Sequence, residues 1–455
     1  MEELLRDTAE RAIRYRAGLD ARAVVPTAKA IEDLDALGGP LPEGPDDPAA
    51  VLALLDDRGS PATVASAGGR YFGFVTGSSL PVTVAANWLA TAWDQNSALT
   101  VMSPVATQLE AIALQWLCEL LGLPAGCGGS FVTGATMANL VGLAAARHAL
   151  LAKAGWDVEA DGLFGAPPLT VLVGGEVHVS LLKALALLGL GRNRVVTVPV
   201  DGQGRMRADA LPALDARTIV CLQAGNVNTG AFDPAEAVCA AARAAGAWVH
   251  VDGAFGLWAA AAPARAHLAA GLGDADSWAT DAHKWLNVPY DCGLAFVREP
   301  RQLAAAMAPS AAAYLAVGES REPMYVTPES SRRARGVEVW AALRSLGRLG
   351  VADLLERTCR HATRFAEGLR EAGYDVLNQV TLNQVLVRFG DDKATRAAIA
   401  AVQAEGTCWC GSTVWQGRAA MRISVSAWAT TEADVERSLA AIIGIAREVG
   451  ARGIR

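Results

Sequence analysis

The sequence predicts an α/β fold, with a mainly parallel sheet in a large domain and a smaller α+β domain at the C-terminal end. Three observations carry that expectation. Short runs rich in Val, Ile and Leu at 169–173, 195–200, 218–223 and 248–252 alternate with alanine-rich helical segments, the pattern of strands joined by crossover helices. One run, Ala247-Trp-Val-His-Val-Asp252, closes on an acid followed by Gly253-Ala254, and open α/β sheets bind ligands at the carboxyl ends of their strands. A chain of 455 residues also exceeds what one core usually carries, so two or more domains are expected.

Taken in order, residues 1–70 read as an N-terminal helical arm. Charge spacing over 2–19 is helical, Gly38-Gly-Pro-Leu-Pro-Glu-Gly-Pro45 is a loop by its Gly and Pro content, and a helix opens at Asp47-Pro48. An arm with little core of its own must pack on something, and a second subunit is the expected partner. Gly68-Gly-Arg-Tyr-Phe-Gly-Phe74 is aromatic and glycine-rich, and Ser103 fits as a helix cap before Pro104. Gly128-Gly-Ser-Phe-Val-Thr-Gly-Ala-Thr136 reads as a turn opening a helix that runs to about Arg147. Such a terminus offers unpaired N–H groups and the positive end of the helix dipole to a phosphate.

The strand at 169–173 ends in Gly174-Gly-Glu-Val-His178 before a helix at 180–188, and a helix at 234–245 joins the strands at 218–223 and 248–252. A strand at 294–297 follows Gly293. Residues 309–328, which include Pro323, Met324 and Tyr325, have little regular pattern and read as a mobile loop. In Ser331-Arg-Arg-Ala-Arg335 the arginines are expected to pair acids or helix ends. The large domain is expected to span 71–341 and the small one 342–455, with helices at 351–371 and 393–405, strands at 374–377, 384–389 and 420–425, and a last helix opening at Thr430-Thr-Glu-Ala-Asp434.

Composition narrows the class of function. A formal net charge of −7 and the absence of a dense basic run argue against nucleic acid or an anionic membrane as partner. The first residues carry acids and arginines where a signal peptide would be apolar, and the apolar windows are broken at Arg147 and Arg243, so a soluble, cytoplasmic protein is expected. The eight cysteines form no CxxC pair and no histidine stands at metal-ligand spacing, so reduced thiols and no metal site are expected.

The chemistry centres on Lys284, in Ser277-Trp-Ala-Thr-Asp-Ala-His-Lys-Trp285, one of only five lysines among 40 basic residues. The small and polar residues before it read as a turn presenting one amine to a cleft. A lone lysine is most often a solvated surface group, and an Asp-Gly after a strand is often plain turn chemistry. Together, however, Lys284 and Asp252 point to pyridoxal phosphate, with the lysine forming the Schiff base and the acid keeping the pyridine nitrogen protonated.

Val249-His-Val-Asp-Gly-Ala254, followed about thirty residues later by Asp281-Ala-His-Lys-Trp285, resembles the pyridoxal-phosphate-dependent group II amino-acid decarboxylases, which include aromatic-amino-acid, glutamate, histidine and diaminobutyrate decarboxylases. The resemblance runs from about Arg70 to Trp428. It implies the type I fold of pyridoxal-phosphate enzymes, aspartate-aminotransferase-like, with a seven-stranded sheet, and a homodimer with shared active sites. It implies a phosphate cup at Thr133, Gly134, Ala135 and Thr136, with Asn139 nearby, and His178 stacked on the cofactor ring. Ala254 and His283 join the cofactor-binding set. Gly225-Asn-Val departs from the Gly-Thr-Thr of much of the family, so Asn226 either meets a cofactor oxygen or supports its loop.

On the same resemblance Tyr71 and Phe72 line the substrate pocket, Arg422 faces the substrate carboxylate, and Tyr325, on the mobile loop, returns a proton to Cα. The implied reaction is decarboxylation of an L-amino acid, with a lean to an aromatic or apolar side chain. The alternatives are a C–C lyase or aldehyde-forming enzyme on the same scaffold and, remotely, a non-catalytic protein that only binds the cofactor.

Overall fold

The computed structural model describes residues 1–308 and 322–453. It contains two compact units, one of Ser79–Thr363 with Asn378–Gln384, the other of Met1–Ser78 with Arg364–Leu377 and Val385–Arg455.

The first unit is built on a seven-stranded sheet. Its strands are β1 (Gly128–Val132), β2 (Thr170–Gly174), β3 (Val196–Val198), β4 (Thr218–Gln223), β5 (Trp248–Asp252), β6 (Ser277–Asp281) and β7 (Gly293–Val297). They lie in the order β1-β7-β6-β5-β4-β2-β3, with β2 to β6 parallel and β7 antiparallel to both β6 and β1. Helix α1 (Ala135–Lys153) packs against the middle of the sheet together with α2 (Val179–Leu187), and Val141, Ala145, Leu181 and Leu185 share one buried cluster with Val173, Ile219 and Ala279. Among the described residues α1 alone is long and apolar enough to cross a bilayer, and here it is a core helix, mostly buried. Helix α3 (Ala235–Ala245) links β4 to β5 and ends at Gly246 in the left-handed conformation that glycine tolerates best.

Two strands depart from the sequence reading. β6 was expected as part of a turn, yet all five of its residues are buried. Ser-Trp-Ala-Thr-Asp has weak intrinsic strand preference, and ladders from β5 and β7 on either side supply what local preference does not. β1 lies inside what reads as a glycine-rich turn. Its glycines answer close packing: a Cβ on Gly129 would stand 2.8 Å from Leu114 Cδ2 and 3.1 Å from Phe296. The arginine cluster is structural as expected, with Arg332 3.1 Å from the buried Glu110 and Arg335 2.9 Å from Asp291. Of the expected mobile loop, 309–321 lies outside the described residues, and Pro323–Tyr325 forms a short 3-10 turn.

The second unit holds a five-stranded sheet in the order Tyr71–Phe72, Trp409–Trp415, Arg418–Ser424, Gln384–Arg388, Asp375–Val376. The N-terminal segment is tied into this unit through Arg70, which is buried and donates to the carbonyls of Asp20 (2.9 Å), Arg22 (3.0 Å) and Thr407. The division between units falls inside the long helix Gly336–Glu371, kinked at Gly347, whereas the sequence suggested a boundary near 341. Helices Glu2–Ala17 and Pro48–Ala62 bury no residue and leave Leu5, Ile13, Val51, Leu54 and Leu55 exposed.

Candidate active site

β6 ends at Asp281, and the chain turns through 282–286, carrying Lys284 out at the carboxyl end of the sheet. Lys284 Nζ lies 3.0 Å from Asp281 Oδ2, and the lysine side chain remains one-fifth exposed, so its amine is reachable. Asp281 is almost wholly buried and serves two partners, because its Oδ1 also accepts the Ala135 N–H at 2.6 Å. Trp258 Nε1 donates to the Asp281 carbonyl at 3.1 Å and fixes the start of the turn.

β5 delivers the second group. Side chains alternate along a strand, so Trp248, His250 and Asp252 share the face that meets α1. Asp252, 5% exposed, accepts Asn139 Nδ2–H at 3.1 Å on Oδ2 and the Ala254 N–H at 3.2 Å on Oδ1. Burial pushes its carboxyl above the ordinary carboxylate range, and the charges of His178 and Lys284, with those two donors, pull it back.

The third feature is the turn from β1 into α1. Gly134 has no side chain to cap the helix, so the first N–H groups of α1 and the positive end of its dipole are left to other partners. Asp281 takes one of them. The turn is held from outside as well: a Cβ on Gly293, the first residue of β7, would stand 2.5 Å from the Cα and carbonyl carbon of Gly134.

The other expected residues fall into place unevenly. His178 is half-buried and caps α2, its Nδ1 accepting the Ser180 N–H at 3.3 Å, near enough to Asp252 for its charge to act there. His283 sits beside the turn, its Nδ1 accepting the Cys292 N–H at 3.1 Å and its Nε2 3.7 Å from Asp281 Oδ2, while burial lowers its pKa. Thr133 and Thr136 flank Gly134, both half-buried. For Asn226 the structure shows the second of the two readings, support of its loop. Its Oδ1 accepts the N–H groups of Asn228 (2.9 Å) and Thr229 (3.2 Å) and its Nδ2 donates to Gln223 Oε1 (2.9 Å), so this amide is spent on holding its own loop.

Tyr325 is half-buried on its 3-10 turn, and the next residue, Val326, joins the same core cluster as Val132 and Ala138 beside the β1–α1 turn. Tyr71, Phe72 and Arg422 belong to the second unit. Tyr71 stacks on Trp409 with ring centroids 5.2 Å apart, and Phe74 stacks on the same indole at 5.3 Å. Phe72 is a correction: it is wholly buried, edge-on to Phe365 at 5.0 Å, and is a core residue rather than a pocket lining. Arg422 lies opposite Gly411 in the sheet, and burial lowers its pKa.

Sequence reasoning missed Asp281, His250 and Ser277 in the first unit and Phe74 and Trp409 in the second. His250 was legible, since it stands two residues from Asp252 and so shares its face. Trp409 was not, because its pairing with Tyr71 joins positions more than 300 residues apart. Among the described residues no group of three or more His, Cys, Asp or Glu could hold a metal ion.

A reachable amine, a buried carboxylate with a donor on each oxygen, and a helix start without a side-chain cap are the three fittings that the aldehyde, pyridine nitrogen and phosphate of pyridoxal phosphate require. Comparison with known proteins agrees. Residues 67–389 match a family described as the pyridoxal-dependent decarboxylase conserved domain. Tryptophan decarboxylase 1 of Oryza sativa subsp. japonica is 27% identical over 397 residues, covering 78% of this chain and 76% of the relative. L-2,4-diaminobutyrate decarboxylase of Rhizobium meliloti (strain 1021) is 29% identical over 386 residues, covering 80% and 74%. In fold, the chain resembles the crystal structure of Oryza sativa TDC with PLP and tryptamine, with a TM-score of 0.90 at 24% identity over 98% of this chain and 97% of the other.

Proposed function

Because the chain belongs to the pyridoxal-dependent decarboxylase family, with pyridoxal phosphate as its cofactor, we propose that it removes the α-carboxylate of an aromatic or apolar L-amino acid, releasing the amine and carbon dioxide. The observation that carries the reading is the convergence of Asp281 at the end of β6 and Lys284 just after it with Asp252 at the end of β5 and the start of α1. Support for an aromatic side chain comes from a relative named for tryptophan. Relatives named for tryptophan and for diaminobutyrate show that the family admits both kinds of substrate.

When bound, pyridoxal phosphate supplies a sink for the electron pair left at Cα by a breaking bond. Lys284 would hold the cofactor covalently, and Thr133, Gly134, Ala135 and Thr136 would receive its phosphate. Asp252 would keep a proton on the pyridine nitrogen, with Asn139 and Ala254 stabilising its charge. His178 would cover one face of the ring, and His283 would hold the turn that presents Lys284. Orientation of the substrate carboxylate decides which bond to Cα breaks. Carbon dioxide and amine release, measured across a panel of L-amino acids, tests the reading. Aromatic substrates are expected to react fastest, and release only from charged side chains would sink the substrate class.

We place Tyr325 as the acid that returns the proton to Cα. Tyr325→Phe keeps the ring and its packing but lacks the hydroxyl, so amine formation is expected to fall about a hundredfold, within the range that a positioned acid contributes. The fraction of aldehyde should rise as dioxygen competes for the electron pair. Equal amine yields in wild type and variant would assign the proton to another group.

The protein is also proposed to act as a homodimer with shared sites. The arm helices bury nothing in one chain, and in the other unit Val82, Trp88, Leu89, Trp93, Val101 and Met102 are exposed, apolar residues of the kind that a second copy would cover. Sedimentation should give twice the chain mass, and removal of residues 1–70 should leave an inactive or insoluble protein. A stable, active monomer of the full chain would contradict the proposal.

A further inference from the structure

α1 and β5 enclose a line of buried polar groups that the mechanism above does not use. Trp248 Nε1 lies 2.9 Å from Ser277 Oγ, Ser277 Oγ 2.8 Å from His250 Nδ1, His250 Nε2 2.8 Å from Asn139 Oδ1, and Asn139 Nδ2 3.1 Å from Asp252 Oδ2. Ser277, His250 and Asn139 are each fully buried. The alternation of β5 places Trp248, His250 and Asp252 on one face, and the pairing of His250 with Ser277 in the β5–β6 register completes the line. Gly142, one turn beyond Asn139 on α1, makes room for the imidazole, since a Cβ there would stand 2.7 Å from His250 Cε1.

With Asp252 ionised, one assignment of protons satisfies every member. An ionised Asp252 accepts, so Asn139 must turn its NH2 toward it and its Oδ1 toward His250. His250 Nε2 must then carry a hydrogen, which leaves Nδ1 bare in the neutral ring. Ser277 must give its hydroxyl hydrogen to Nδ1, and its oxygen is free to accept the Trp248 indole N–H. The reverse arrangement would point Asn139 Oδ1 at a carboxylate. Burial, which holds His250 neutral with a pKa lowered to about 3, agrees with this assignment.

We propose that His250, together with Ser277, is a positioning residue for the reaction: it locks the Asn139 amide with its NH2 toward Asp252 and so favours the ionised carboxylate. The inference rests on the cofactor reading only in its consequence, that an ionised Asp252 is needed at the pyridine nitrogen. The charged and titratable groups facing Asp252 are His178, Lys284 and Cys221, and none of them touches the amide of Asn139.

The test is nitrogen-15 NMR of the holoenzyme labelled at its six histidines, with His250 identified by the signals lost in His250→Gln. His250 is expected to show a protonated Nε2 and a bare Nδ1, neutral throughout the range from about pH 5 to pH 8 in which an ordinary imidazole titrates. Ser277→Ala removes the donor to Nδ1. In that variant His250 should become a mixture of tautomers, and the dissociation constant for pyridoxal phosphate should rise about tenfold, the loss of roughly one hydrogen bond to a charged network. A wild-type His250 protonated on Nδ1 overturns the proposal, and this result needs no variant to fold. So does a Ser277→Ala protein with altered tautomers and unaltered cofactor affinity. Cofactor binding by the wild type tests the functional reading separately, because the tautomer can be read with or without added cofactor.

Discussion

Lys284→Ala is expected to reduce amine production by at least about three orders of magnitude, because the variant loses both the covalent hold on the cofactor and the positioning that makes the encounter unimolecular. The effect should be confined to chemistry. Lys284 lies in a turn with its side chain partly exposed, and its ion partner Asp281 keeps the Ala135 N–H when the amine is gone. The melting temperature of the cofactor-free protein should therefore change little. The wild type should be yellow, with cofactor that stays on the chain after borohydride reduction and denaturation, and the variant should lose that attachment. Mass spectrometry that finds cofactor on Lys29, Lys153, Lys183 or Lys393 instead would move the site elsewhere.

Asp252→Asn should lower turnover by about 10²- to 10⁴-fold, the range associated with losing a positioned proton-transfer group. Size and burial are kept, and an amide oxygen still accepts the Ala254 N–H, so folding should persist. An amide cannot hold a proton on a pyridine nitrogen as a carboxylate can, and its NH2 would face that of Asn139 or force it to turn. The wild type itself should lose activity as pH falls, and at higher pH than an ordinary carboxylate would dictate, because burial raises the Asp252 pKa. Near-normal turnover in Asp252→Asn would take the electron-sink role away from this residue.

Much of this could be read from the residues. The strands at 218–223 and 248–252 were legible because runs such as Thr-Ile-Val-Cys-Leu-Gln carry their own strand preference, and the structure places both at those positions. Asp252 was legible because it stands where a strand gives way to a turn, and Lys284 because it follows small and polar residues that read as a turn. What escaped was set by distant partners. β6 is a strand because β5 and β7 flank it, and Gly129 is in a strand because β1 pairs with β7, and a glycine because Leu114 and Phe296 leave no space for a side chain. Asn226 is different, because its partners Asn228, Thr229 and Gln223 are close in sequence, and the sequence left loop support as one of two readings.

The placement of β1 has a consequence for how the protein breathes. It is an edge strand, hydrogen-bonded on one side only, to β7, and the turn that opens α1 hangs from its end. Edge strands open locally more readily than inner ones, so backbone amides there should exchange with solvent through small excursions rather than global unfolding. A single molecule held at the start of α1, after β6 and at the end of β5 would tie the edge to two inner strands. At a hundredfold excess over its dissociation constant such a ligand suppresses opening by about 2.7 kcal/mol. Deuterium uptake should then fall on cofactor loading at β1 and the first turn of α1, and stay unchanged at β3, the opposite edge of the same sheet.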